Sequence, residues 1–361
     1  MHAACDVLLH HDVLPLITTF QHGLLPDILA FWKTYTYGAD FWASLDLPVH
    51  AINRRVLGDV RDARYQLLVL VAANKLPLVR QLLRCRPSYL AQPGAPHVID
   101  VAAAFGRLDM VQYFHTTFGG GVETLCSTQA MDLAAKHGFP DVVQYLHVHR
   151  TEGCTDAAMI GAATHGHLDI VRFLHEHRSD ASTPRHFAID FASTNGHLHV
   201  VEYLHAVRQE GGSTWALDTA AGAGHFDVVK FLHAHHKAGC TVAAMDTAAA
   251  NGHLPIVQYL HRHRHEGCTT RAMDSAAKNN HLRVVEFLHT HRREGCTEKA
   301  LHMAAQNGHT KMVEFLTRHR RRESNLVDAA VVAKRQGHGD CVALIHRAAM
   351  GSTCYGVNVL C

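Results

Sequence analysis

One apolar pattern, Leu-x-Val/Ile-Val-x-Phe/Tyr-Leu-His, recurs along most of the chain. In the copy that begins at Leu168, its apolar positions cover more of a helix surface than a single stripe. Such a helix must be buried on more than one side. Each copy follows Gly or Asn, the residues that most readily take the left-handed conformation that ends a helix. These turn residues mark ten copies at intervals of 28 to 32 residues: Asn74, Gly106, Gly138, Gly166, Gly196, Gly224, Gly252, Asn280, Gly308 and Gly337.

A helix of small residues precedes each turn. It usually contains an Ala-Ala pair, such as Ala248-Ala249, that lets neighbouring helices approach closely. A Cys-Thr or Ser-Thr pair before it supplies a hydroxyl N-cap. The N-caps predicted in this way include Thr155, Thr241, Thr269 and Thr297. Because the apolar face of such a helix pair is covered only by the next copy, the pattern predicts a solenoid.

The combined pattern, Ala-Ala-x-x-Gly-His-Leu-x-Val-Val-x-Phe-Leu, resembles the ankyrin repeat over residues 65–347. The family's Thr-Pro-Leu-His start is largely missing, and the unit is shorter than the usual length of about 33 residues. The missing length falls at Glu266-Gly267-Cys268 and its equivalents, where the family has a projecting β-hairpin. We therefore expect an all-α, ankyrin-like solenoid of about ten helix-turn-helix units with short inter-repeat loops. In ankyrin-like solenoids the first helices line the concave face.

The segment before the array, residues 1–64, does not fit the repeat register. It reads as two short amphipathic helices around His22-Gly23. Such helices are what an N-terminal cap needs in order to cover the first repeat. Their spacing also resembles the F-box, a module that docks on a ubiquitin-ligase adaptor. Exposure of Ile17, Phe20, Leu25 and Trp32 separates these two alternatives. After the array, residues 348–361 are expected to form a C-terminal tail.

Composition narrows the class of protein. The chain has 34 Lys and Arg against 32 Asp and Glu, a balance that argues against a nucleic-acid binder and against a disordered polyelectrolyte. No apolar run reaches the roughly 20 residues that span a bilayer. The N-terminus lacks the cationic start of a signal peptide. We therefore expect a monomeric intracellular protein, cytoplasmic in preference to nuclear, with no membrane and no nucleic acid among its partners.

Histidine is abundant, at 34 of 361 residues, and falls into three columns. One column follows the turn residue, one ends the apolar run of the second helix, and one lies two residues further on. Stacked helices lie roughly 8–10 Å apart, so like residues of adjacent copies cannot share one ion with bonds of about 2.1 Å. His261 and His265 form an i,i+4 pair, a candidate surface clip. We predict no metal and no cofactor, and expect the turn column to hydrogen-bond to backbone between repeats.

Three further columns repeat with the scaffold. The acidic column predicts either first-turn helix polarity or inter-repeat hydrogen bonding. The arginine column predicts C-terminal capping and solubility, with a basic ladder for an acidic partner as the alternative. The cysteines before the N-caps lie too far apart for disulfides, so reduced thiols are expected. These columns are Asp100, Asp132, Asp190, Asp218, Asp246 and Asp274; Arg150, Arg178, Arg208, Arg264, Arg292 and Arg320; and Cys154, Cys240, Cys268 and Cys296.

The candidate recognition surface consists of the positions that vary between copies. No catalytic motif accompanies the repeats, so we expect a non-enzymatic protein. Phe187 and Trp215 stand out in adjacent copies as aromatic anchors, although Trp215 alternatively fills a gap in an irregular copy. The function predicted is a protein–protein interaction scaffold; the alternative is a substrate receptor of a cullin-type ubiquitin ligase. The predicted partner-binding residues are His186, Phe187, Trp215, Arg271, Lys278 and Lys299.

Overall fold

A computed structural model describes residues 63–85, 90, 97–118, 125–177, 186–208 and 211–350. The chain divides into two compact units, Met1–Ser182 and Thr183–Cys361. Residues 1–62 and 351–361 lie outside the described residues, and with them the predicted cap or F-box-like segment and most of the predicted tail. The exposure of Ile17, Phe20, Leu25 and Trp32 is therefore not described.

The described residues form ten helix pairs, in which odd-numbered helices are the first and even-numbered helices the second of each pair. The first unit contains α1 Ala63–Ala72, α2 Leu76–Cys85, α3 Val98–Ala104, α4 Leu108–Phe118, α5 Thr128–His137, α6 Pro140–His149, α7 Asp156–Thr164 and α8 Leu168–His177. The second unit contains α9 His186–Thr194, α10 Leu198–Arg208, α11 Thr214–Ala223, α12 Phe226–His235, α13 Val242–Ala250, α14 Leu254–His263, α15 Thr270–Lys278, α16 Leu282–His291, α17 Glu298–Gln306, α18 Thr310–His319, α19 Leu326–Arg335 and α20 Gly339–Met350. A short 3₁₀ turn, Arg321–Glu323, follows α18. The described residues contain no strand, and the expectation of an all-α helical repeat fold with short inter-repeat loops is confirmed.

Local chemistry sets the ends of these helices. Six first helices begin after a serine or threonine whose hydroxyl accepts a hydrogen bond from a backbone N–H of the first turn. All ten predicted turn residues have a positive φ, between 55° and 89°. At the end of α11, the N–H groups of Gly224 and His225 donate to the carbonyls of Ala221 and Ala220. These two bonds satisfy carbonyls that the helix leaves without a partner.

Packing between copies follows from the apolar pattern. Within each unit, a first helix lies against the first helix of the next copy and against its own second helix, as α11 does with α13 and α12. The alanine pairs let the first helices meet, and Ala220 and Ala221 are fully buried. Val228, Val229 and Leu232 of α12 are buried as well. Replacing such a leucine with alanine costs about 2–5 kcal/mol, so these positions hold the stack together.

Membrane insertion finds no support in the helices of the described residues. None of them combines the length and the apolar character that a bilayer crossing requires.

Candidate binding face on the first helices

A carboxylate on the first helix ties most copies to the N-cap of the next. Asp246 of α13 accepts hydrogen bonds from the backbone N–H of Thr269 at 2.8 Å and from its hydroxyl at 2.6 Å. Ile160 occupies the corresponding position of α7, so that copy lacks the clamp. Inter-repeat hydrogen bonding is thus the role that the structure gives to the acidic column. The same pair of bonds is made by Asp100, Asp132, Asp190, Asp218 and Asp274.

Histidines that follow the turns pack on the turn glycine of the preceding copy. The ring of His253 lies so close to Gly224 that a Cβ on this glycine would stand 2.6 Å from Cε1. A side chain is therefore excluded by the neighbouring ring as well as by the backbone conformation. Where the turn residue is Asn280, the Nε2 of His309 lies 3.0 Å from the carbonyl oxygen of Lys278, which is the predicted bond to backbone. The other glycines covered in this way are Gly138, Gly196, Gly252 and Gly308.

The arginines that end the second helices are held by contacts in the loops between copies. Arg264 pairs with Glu266 through two contacts, and its guanidinium lies against Gly239 of the preceding copy. Burial chiefly raises the pKa of the neighbouring Cys240 thiol to about 11. These arginines and cysteines are scaffold residues, so the described part of the column does not form a basic ladder for a partner. Equivalent pairs are Arg150 with Glu152, Arg292 with Glu294 and Arg320 with Glu323.

The two later histidine columns meet across adjacent copies. The ring of His233 on α12 meets Tyr259 of α14 edge-on at 5.5 Å between centroids and lies 5.7 Å from the ring of His263. Burial, and then the positive charge of Arg264, lowers the pKa of His233. Analogous histidine pairs have centroid separations of 5.1–5.9 Å and involve His115, His147, His205, His261 and His289 of the earlier copy. Sequence reasoning compared like columns and missed these pairs, whose members come from different columns.

These pairs lack a third ligand. Within the described residues, no group of three or more His, Cys, Asp or Glu side chains is arranged to hold a metal ion. The outer histidine of several pairs also donates its Nδ1–H to a backbone carbonyl of its own helix, as His235 does to Phe231 at 3.0 Å. The arrangement is an aromatic ladder that covers the ends of the second helices.

The predicted binding residues all lie on first helices of the second unit. Four of them, Phe187, Trp215, Arg271 and Lys299, take the second position of their helices and are exposed. We call the residues at this position, spaced by 28, the first-helix row. Lys278 ends α15 and is also exposed, whereas only the backbone of His186 is described. The complete row is Phe187, Trp215, Ala243, Arg271, Lys299 and Val327.

The row begins with a cluster of aromatic side chains. Phe187 is 40% and Trp215 is 43% exposed, and they stand on the adjacent helices α9 and α11. The ring of Trp215 meets that of Phe191 edge-on, with centroids 5.4 Å apart. Its backbone is fixed by the cap bond from its N–H to the Ser213 hydroxyl at 3.2 Å. A tryptophan that filled a gap in the core would be buried, and this one is not.

Sequence reasoning did not select Phe191 or Val327. Phe191 lies four residues after Phe187, so the i,i+4 spacing on one helix was the signal for it. Val327 lies 28 residues after Lys299 and is 74% exposed, so the repeat interval was the signal.

Comparison with known proteins matches this architecture to a protein family. Residues 131–210, 217–295 and 273–354 match the family described as Ankyrin repeats (3 copies). Together these segments cover more than half of the chain. No curated protein matches it significantly. Helix pairs of the same kind also precede the first matched segment, from Ala63 onward. The chain belongs to the ankyrin repeat family.

Proposed function

We propose that the chain is a non-enzymatic scaffold that binds a protein partner on the first helices of its second unit, residues 186–335. Ankyrin repeats are a protein–protein interaction module. The observation that carries this proposal is the exposure of Phe187 and Trp215 on adjacent helices. Tryptophan is among the residues that contribute most to interface energy, and a cluster of exposed aromatic side chains marks an interaction site.

Within each copy, residues that contact the neighbouring copies are distinct from those of the first-helix row, and this distinction supports the same binding face. The acidic, turn-histidine and arginine columns are occupied by contacts between copies, and these columns change little along the array. The first-helix row changes from aromatic to basic residues and ends in Val327, and five of its six members are exposed. In ankyrin arrays the first helices line the concave side, and we propose that the partner approaches from that side.

Affinity enrichment with mass spectrometry tests this function. The full chain is compared with a Phe187→Ala/Trp215→Ala variant, and partners are expected to be lost from the variant. Truncating an aromatic anchor that becomes buried on binding costs at least about 2 kcal/mol of binding free energy, or roughly thirtyfold in affinity. Val207→Ala, which truncates an exposed apolar side chain on the second helix α10, is the control and is expected to retain all partners. Equal recovery from all three proteins would contradict a binding role for this face.

A ligase substrate receptor is the second candidate, and the F-box-like apolar spacing within residues 1–64 favours it. In this function the N-terminal segment recruits a cullin-type adaptor while the array selects the substrate. Enrichment with a chain lacking residues 1–60 tests it. Loss of an adaptor from a truncated chain that remains folded supports the receptor. Identical partners support the scaffold, and aggregation of the truncated chain supports a structural cap.

A further inference from the structure

We infer that the partner segment is an extended acidic peptide whose bulky apolar side chain packs on Phe187 and Trp215 and whose carboxylates, about five to nine residues away, meet Arg271 and Lys299. This inference rests on the proposed function and adds the chemistry and spacing of the ligand.

The two ends of the site differ in character along the first-helix row. The α9–α11 end presents the exposed aromatic side chains of Phe187 and Trp215, with half-buried Phe191 against Trp215. Further along, α15 and α17 present Arg271 and Lys299 at the same repeat position. A ligand that covers both ends must therefore be apolar at one end and acidic at the other.

The basic side chains on this face differ in ion pairing from the arginines at the ends of the second helices. Arg264 and Arg292 are each neutralised by a glutamate two residues away. In contrast, Arg271, Lys278 and Lys299 make no ion pair with any residue that the structure describes. Among the exposed side chains of α15 and α17, Glu298 is the only acidic one, while Asp274 is half-buried and bonded to Thr297. Unneutralised charge on the variable face favours an acidic ligand.

The backbone of Lys278 is fixed from the next copy. Its carbonyl oxygen accepts a hydrogen bond from the Asn307 side-chain amide at 2.9 Å, and the His309 ring lies 3.0 Å from the same oxygen. The next copy thus fixes the backbone of Lys278 and leaves its side chain exposed.

Between the two ends, the row carries a small side chain. Ala243 occupies the row on α13, and the same helix ends at Ala250. The Thr247 hydroxyl donates to the Ala243 carbonyl of its own helix at 2.7 Å, so it is satisfied internally. The small side chain of Ala243 lets a peptide backbone lie close to α13 at the row position, whereas a bulky residue there would hold it away.

Helix spacing sets the length of the ligand. Two helix steps separate Trp215 on α11 from Arg271 on α15, and three separate it from Lys299 on α17. At roughly 8–10 Å per step, these separations are about 16–20 Å and 24–30 Å. An extended chain advances about 3.3 Å per residue, so the acidic residues fall about five to six and seven to nine residues from the apolar anchor.

Selection from a library of random 14-residue peptides displayed on phage, with the full-length chain as bait, tests the inference. Selected peptides are expected to share an apolar residue and acidic residues at this spacing. Trp215→Ala is expected to weaken their binding at least about thirtyfold. Lys299→Glu is expected to weaken it about three- to tenfold, and lysine in place of the distal acid of the peptide is expected to restore it. Lys311→Glu makes the same charge change on α18 of the same copy and is expected to have no effect.

The other outcomes separate failure of the inference from failure of the proposed function. Peptides that depend on Trp215 but carry no acidic residues, or are insensitive to Lys299→Glu, overturn the acidic ligand and leave the binding face intact. Peptides insensitive to both changes overturn both. If no peptide is selected, an extended ligand is refuted, and the enrichment experiment decides the proposed function on its own.

Discussion

The contact between a turn glycine and the histidine of the next copy predicts the stability of a glycine variant. In Gly252→Ala, the new methyl group would stand 2.5 Å from Nδ1 of His281, where ordinary contact begins at 3.4 Å. Residue 252 also has φ +81°, a conformation that costs an alanine roughly 1–2 kcal/mol. Displacing the ring adds a cost of about 1–3 kcal/mol, typical of overpacking. The expected loss of unfolding free energy is therefore about 2–5 kcal/mol.

Two reference variants separate these contributions. Gly337 has φ +80°, and no described atom lies within 4 Å of a Cβ built there, so Gly337→Ala reports backbone strain alone. We expect it to cost about 1–2 kcal/mol. In the double variant Gly252→Ala/His281→Ala the overlap is removed, so it is expected to cost at least about 1 kcal/mol less than the two single variants together.

Urea denaturation followed by far-ultraviolet circular dichroism measures the unaltered chain, Gly252→Ala, Gly337→Ala, the single variant His281→Ala and the double variant. Equal costs for Gly252→Ala and Gly337→Ala, together with purely additive effects of Gly252→Ala and His281→Ala, would refute the packing argument. That result would leave backbone conformation as the sole reason for glycine in this column.

Further predictions concern the clamp, pH and thiol reactivity. Asp246→Ala leaves both Thr269 donors without their carboxylate and is expected to lower the unfolding free energy by about 2–3 kcal/mol in urea denaturation. The control Asp227→Ala removes an exposed carboxylate and is expected to lower it by less than about 0.5 kcal/mol. Equal losses would argue against the clamp. Burial, aided by arginine charge, lowers the pKa of several histidines below 6.5, so the folded state binds their protons more weakly than the unfolded state. Unfolding free energy is then fully retained above about pH 6.5 and falls as the pH drops through and below that value; a flat profile from pH 7.5 to 5.5 would contradict this. Burial also raises the pKa of Cys268 to about 11, so at pH 8 only about one thiol in a thousand is ionised. Peptide mapping is therefore expected to show much slower alkylation of Cys268 in the folded chain than in the urea-unfolded chain. Equal rates would be inconsistent with burial. The histidines concerned are His115, His233, His261 and His289.

Most of the fold could be predicted from the sequence because its determinants act over a few residues. A left-handed turn requires Gly or Asn at one position, and all ten turns lie where the sequence placed them. A hydroxyl N-cap bonds two residues along the chain, as the Thr269 side chain does with the N–H of Arg271. The repetition of such local signals at intervals of 28 to 32 residues also revealed the number of helix pairs.

The contacts between copies depended on the tertiary structure. Helix polarity and inter-repeat bonding both explain an acidic column, and only the approach of Thr269 to Asp246, 23 residues away, decides between them. The two later histidine columns meet in pairs such as His233 with His263, on second helices of adjacent copies, and spacing along the chain does not reveal these contacts.

The candidate site shows the same division. The sequence alone indicated which positions vary, and therefore selected Trp215 and Arg271. It could not show which arginine charges are neutralised, because the surroundings of Arg264 and Arg271 depend on packing between copies. Packing decides the difference: Arg264 lies against a glycine of the preceding copy and beside Glu266, whereas Arg271 faces solvent on the first helix. Local backbone chemistry therefore determined the repeat, and the stacking of the copies determined which charges remain for a partner.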